Sequence, residues 1–124
     1  MALAKASALR QGAQRLRARA DFERVRRDGH SWRHRLLVLV ARRNELGLTR
    51  VGVAAGKRVG SAVARNRAKR LMREAMRTQF PRVAPGWDLL LIARAPIAPV
   101  KMQDVATALE SLLRQAALFL VPSP

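Results

Sequence analysis

Lys57, Arg58, Arg65, Arg67, Lys69, Arg70, Arg73 and Arg77 crowd into one segment that contains a single acid, Glu74. If residues 62 to 79 form a helix, then at about 100° per residue Arg65, Asn66, Lys69, Arg70, Arg73 and Arg77 fall within an arc of roughly 140°. Ala64, Ala68, Leu71, Met72 and Ala75 cover another side, so the helix has a dry face and a cationic one. Arg67 and Glu74 sit together at the margin of the cationic arc, where Glu74 is placed to hold an arginine. A solvated helix face normally interleaves both signs, and this one hardly does. The chemistry it offers is phosphate binding, because a guanidinium is a planar fork that engages phosphate oxygens in pairs and stacks on bases. Asn66, an uncharged amide amid the cations, adds little attraction and suits oriented hydrogen bonding to a nucleic acid or to a neighbouring arginine.

Nothing else in the chain offers the polypeptide a reaction of its own. Metal-assisted phosphodiester cleavage needs clustered carboxylates, and the eight acids are scattered. His30 and His34, the only imidazoles, flank Trp32 and Arg33 in what reads as a loop without a partner carboxylate. Gly56 to Gly60 lacks the spacing of a phosphate-cradling loop. No catalytic residue and no bound metal are expected of this chain.

The elements that must position the cationic face follow from the pattern of apolar residues. Asp21 is a plausible cap for a short first helix that carries Phe22 and Val25 and ends at Gly29. Leu36 to Ala41 is an unbroken apolar run of strand length. Period two sends Leu37 and Leu39 to one face and Leu36, Val38 and Val40 to the other. Asn44 and Gly47 mark a turn, after which Val51, Val53 and Ala55 alternate as a second strand, and a hairpin is the economical pairing. Ser61 is well placed to cap the long helix Ala62 to Gln79, and Pro81 stops it. Trp87 to Arg94 reads as a strand buried on both faces. Met102 to Leu120 repeats apolar residues along one stripe, as a core-facing helix does. Trp32 and Trp87 read as packing anchors. The order helix, strand, strand, helix, strand, helix predicts an α/β two-layer sandwich with a β-α-β crossover.

With 25 Lys and Arg against 8 Asp and Glu in 124 residues, the +17 charge opposes compaction unless a polyanion neutralises it. That balance names a nucleic acid as partner class and leaves the task open. The absence of cysteine suits a reducing compartment. No run of 18 uncharged apolar residues exists, so no membrane partner is expected. Residues 1 to 20 hold five basic residues and no acid. They read as a flexible basic arm on a cytoplasmic protein, although their composition also resembles a mitochondrial transit peptide. The expected organisation is this arm, one domain over residues 21–120, and a tail at 121–124.

The run Lys57-Arg58-Val59-Gly60-Ser61-Ala62-Val63-Ala64-Arg65-Asn66-Arg67-Ala68-Lys69-Arg70-Leu71-Met72-Arg73-Glu74 resembles the signature helix of the bacterial ribonuclease P protein component, with its Arg-Asn-Arg core. The order of elements is similar over about residues 15 to 120. The resemblance implies a left-handed crossover around the basic helix, an exception to the usual hand. It also implies the catalytic RNA of ribonuclease P and precursor tRNA as partners, with no DNA. Hydrolysis would belong to Mg2+ held mainly by the RNA. In that family a cleft between the first helix and the open sheet face receives the single-stranded 5′ leader of precursor tRNA. Here the cleft would comprise Phe22, Arg26, Val38 and Val40. Phe22 matches a family aromatic, although a plain core position beneath the first helix suits it equally. Arg26 and Val40 stand where related sequences often carry aromatics, which shifts leader binding toward charge and away from stacking. The alternative is a ribosomal or general RNA-binding protein without a processing role.

Overall fold

The computed structural model describes residues 15–120. Its elements run α1 (Arg19–Asp28), β1 (His30–Arg33), β2 (Leu37–Arg43), β3 (Arg50–Ala54), α2 (Ala62–Gln79), β4 (Trp87–Ala93) and α3 (Met102–Gln115). Short 3-10 turns lie at Lys57–Val59, Phe80–Arg82 and Ala95–Ile97. One four-stranded sheet has the order β1-β2-β4-β3.

The expected hairpin between the apolar run Leu36 to Ala41 and the alternating strand does not form. β4 lies between β2 and β3, antiparallel to the first and parallel to the second. The physical reason is burial: Leu89, Leu90 and Leu91 are fully enclosed, so β4 must be an interior strand covered on both faces. β3, with Gly52 at its centre, serves as an edge. The β-α-β crossover is present, with α2 joining the parallel neighbours β3 and β4.

The expected element order also lacks one strand. His30–Arg33 pairs antiparallel with β2 from His30↔Ala41 to Arg33↔Val38. Three of its four residues are exposed and only Trp32 packs on the core, so it shows no apolar alternation. The turn that closes this hairpin is made by His34, whose N–H donates to Leu37 O at 2.9 Å and whose Nδ1 accepts from Leu36 N–H at 3.0 Å. The histidines are therefore an exposed strand residue and a turn former, and they do not converge as an acid and base pair.

α2 and α3 cover one sheet face. Ala68, Met72, Ala75 and Met76 of α2 and Val105, Leu109, Leu112 and Leu113 of α3 pack with Leu37, Leu39, Ala41, Leu89 and Leu91. α2 has the predicted bounds because Ser61 Oγ accepts from Ala64 N–H at 3.2 Å and Pro81 follows. α3 stops at Gln115, short of the predicted Leu120, where Ala117 adopts φ 57°. Leu118 N–H then reaches Leu113 O, and Phe119 bridges to Val83, so the stripe continues into the core after the helix has ended.

α1 crosses the opposite face, with Val25 packed on Val40 and Leu90. It begins at Arg19 with Ala18 as its cap and no side-chain capping bond, so Asp21 falls inside the first turn. Of the expected arm, residues 1–14 lie outside the described residues. Residues 15–20 belong to the domain: Leu16 is buried, its N–H donates to Val51 O at 3.0 Å, and Arg15 bridges to Val51. The predicted tail at 121–124 also lies outside the described residues.

Candidate nucleic-acid interface

α2 presents its cations as the helical arc requires. Asn66, Arg70, Arg73 and Arg77 are exposed, Arg65 and Lys69 half-buried, and Lys57 and Arg58 stand exposed in the 3-10 turn that leads into the helix. Gly60, at φ 137°, makes the bend between that turn and Ser61, a conformation side-chain-bearing residues rarely adopt. Few of these cations are spent on acids. Glu74 holds Arg77 at 2.9 Å rather than Arg67, since residues three apart on a helix are neighbours and residues seven apart are not.

Arg67 differs from its neighbours. Its Nη1 donates to Ala98 O at 2.6 Å and its Nη2 to Val100 O at 2.8 Å, which ties α2 to the segment before α3. Two of its donors are thus committed inside the protein. Arg65, by contrast, has a buried Nε with no partner among the described residues. Partial desolvation of its guanidinium and then the nearby charge of Arg15 push Arg73, exposed as a residue, below its ordinary pKa.

The second surface is a groove on the α1 face of the sheet. One part, of about 340 Å³, is lined by Arg26, Ser31, Arg33, Val38, Val40, Ile92 and Arg94. The adjoining part, of about 530 Å³, shares Arg26, Ile92 and Arg94 and runs past Ala54 to Lys57 and Arg58. The groove therefore leads from the open sheet face to the start of α2. Of the four residues predicted for the cleft, Arg26, Val38 and Val40 line it. Phe22 does not line either part: its half-buried ring packs over Gly52, where a Cβ would stand 2.8 Å from Phe22 Cζ. Sequence reasoning missed Arg33, Ile92 and Arg94. The first lay in an unrecognised edge strand, and the other two become neighbours of Val38 only through the β2–β4 register.

α1, the wall of the groove, is held by acids. Arg50 grips Asp88 through Nε at 2.8 Å and Nη2 at 2.7 Å, and its Nη1 lies 3.7 Å from Asp21. Asn44 Nδ2 donates to Asp88 Oδ1 at 2.8 Å. Arg42 lies 3.7 Å from Asp28. Burial alone would raise the Asp88 carboxyl, but the hydrogen bonds from Arg50 and Asn44 and the charges of Arg50 and Arg42 outweigh it and hold the group below the usual range.

Among the described residues no three His, Asp or Glu side chains gather as metal ligands. No described helix is long and apolar enough to cross a membrane. Trp32 and Trp87 both pack on the core, Trp87 beneath the Arg43 guanidinium at 5.1 Å.

Comparison with known proteins identifies the family and the fold. The family model described as Ribonuclease P matches residues 11–117. The ribonuclease P protein component of Roseiflexus castenholzii is 41% identical over 107 residues, covering 86% of this chain and 88% of that protein. That of Clostridium botulinum strain Loch Maree is 37% identical over 106 residues, covering 85% and 96%. The solved RNase P protein of Staphylococcus aureus superposes with a TM-score of 0.78 at 31% identity, over 86% of this chain and 98% of that one. The Thermotoga maritima protein gives 0.74 at 30%, over 82% and 96%. A basic helix with its Arg-Asn-Arg core, set on this sheet order and matched along most of its length, makes the chain a member of the ribonuclease P protein component family.

Proposed function

We propose that this chain is the protein subunit of ribonuclease P, binding the catalytic RNA through the exposed face of α2 and the 5′ leader of precursor tRNA in the groove beside α1. Membership of the family carries tRNA 5′ maturation with it. The observation that supports the division of surfaces is the continuity of the groove, whose far end is lined by Lys57 and Arg58 at the threshold of α2. A single strand lying on Val38 and Ile92 would run toward the RNA held by Asn66, Arg70 and Arg73. Arg26, Arg33 and Arg94 around an aliphatic floor favour phosphate contact and guanidinium stacking over aromatic stacking.

In this reading the polypeptide positions substrate and screens phosphate repulsion, while Mg2+ ions bound by the RNA carry the hydrolysis. The site of action is the cytoplasm. Reconstitution with a bacterial catalytic RNA and end-labelled precursor tRNA tests it. The holoenzyme should release the leader at lower Mg2+ than the RNA alone, and RNA-free protein should cleave nothing. Correct-site cleavage by the protein alone, or no effect on the RNA, would overturn the proposal.

A further inference from the structure

The groove exists because α1 leaves part of an apolar sheet face uncovered. Residues two apart on a strand share a face. The registers therefore set three rows beneath α1: Arg42, Asp88 and Arg50; then Val40, Leu90 and Gly52; then Val38, Ile92 and Ala54. α1 lies along the middle row, with Phe22 on Gly52 and Gly29 closed against Val40 and Ala41. The third row is only partly buried and forms the floor of the groove. Apolar burial alone would draw the helix toward that third row, since covering it removes hydrocarbon from water.

The first row supplies the opposing force. Asp21 and Asp28 are seven residues apart, so they share one flank of α1, and Arg26 lies roughly 160° around on the other. Asp21 lies 3.7 Å from Arg50 and Asp28 3.7 Å from Arg42, each acid also pairing more closely within α1, with Arg24 at 3.2 Å and Arg27 at 3.0 Å, while Arg50 is itself locked onto the buried Asp88. The acidic flank is thus tethered at both ends to the charged row, and the Arg26 flank overlooks the open one. We propose that this charged row, engaged by Asp21 and Asp28, holds α1 back from the third row and so keeps the groove open. Arg50 is the positioning residue shared between helix and sheet. The purpose assigned to the open groove rests on the leader-binding reading; the positioning does not.

The test uses Asp21→Asn/Asp28→Asn, which releases the helix and leaves the buried Arg50–Asp88 pair in place. Because the chain has no cysteine, single labels go where they are wanted. Ala20→Cys on the outer side of α1 and Arg35→Cys in the β1–β2 turn, both exposed, carry spin labels whose separation is measured by pulsed electron resonance. In the full-length double variant, with helix content checked by circular dichroism, the separation should shorten by several ångströms, up to the row spacing of roughly 7 Å. Reconstituted holoenzyme should lose about tenfold in affinity for precursor tRNA with a long leader, while mature tRNA binding and assembly with the catalytic RNA stay unchanged. An unaltered separation overturns the positioning device whatever the affinities. A shortened separation with unaltered leader affinity upholds the device and overturns the leader reading instead.

Discussion

Two arginines on α2, three residues apart, should fail in opposite ways. Arg67 donates to Ala98 O and Val100 O, while Arg70 is exposed and has no protein partner among the described residues. A hydrogen bond from a charged group is worth about 1.5–3 kcal/mol. Arg67 is half-exposed, and water replaces part of what is lost, so Arg67→Met should cost about 2 kcal/mol for both bonds together. In a domain of this size that corresponds to a fall of roughly 8 °C in Tm. Affinity for the catalytic RNA, measured on folded protein, should change little, and the slope of log K against log salt should be unmoved. Arg70→Ala should shift stability by less than about 0.5 kcal/mol. It should nevertheless weaken RNA binding and flatten the salt slope by about 0.9, the share of one phosphate. Urea unfolding at fixed ionic strength, followed by RNA titrations at several salt concentrations, separates the two. If Arg67→Met keeps its unfolding free energy and loses one phosphate from the salt slope, the assignment of Arg67 as a tie between α2 and the segment before α3 is wrong.

Three further outcomes follow from the same structure. Gly52→Ala sets a Cβ 2.8 Å from Phe22 Cζ and 3.0 Å from Leu16 Cβ, so it should destabilise the domain by about 1–3 kcal/mol, with partial recovery on adding Phe22→Leu; additive losses in a double-mutant cycle would refute the contact. Asp88 has a folded pKa below its unfolded one, so its ionised form stabilises the fold above the ordinary aspartate value of about 3.9, and that stability is lost as pH falls through the depressed folded value. Unfolding free energies from pH 6 to pH 2 should show this loss in the parent and less of it in Asp88→Asn, and parallel curves would count against it. With about four to six phosphates neutralised, catalytic-RNA affinity should fall with a log–log salt slope of roughly −3 to −5, and a flat titration would remove the electrostatic argument.

The sequence made α2 readable to the residue because independent signals agree there: a serine cap, an apolar stripe at helical spacing and a proline beyond the end. Strand positions were readable too, but their partners were not. Alternation tells which face a residue takes and says nothing of the neighbouring strand, so Asn44 and Gly47 suggested a hairpin that β4 in fact separates. β1 was hidden because an exposed edge strand carries polar residues by necessity. The cationic helix face was legible from angle alone, yet the commitment of Arg67 depends on where the Ala98–Val100 carbonyls lie, which no local pattern records. The groove was half legible. Strand period puts Val38 and Val40 on one face, but their place in a cleft with Arg26 came from the family resemblance, and Arg33 and Arg94 join them only through pairing across the sheet.

The place of β4 also governs the order in which this chain can fold during synthesis. β2 and β3 emerge first but have no bonds to exchange with each other, because the strand that pairs with both arrives only at residues 87–93. Until then the one pairing of this sheet open to the nascent chain is β1 with β2, and the dry face of α2 lacks the β4 part of its floor. Parallel pairing between strands so far apart in sequence is slow to form, because a long loop must close before any contact rewards it. The densest run of positive charge is therefore translated, and exposed, before the domain that organises it can close. An RNA partner present at that moment would meet an open cationic chain before it meets a finished surface.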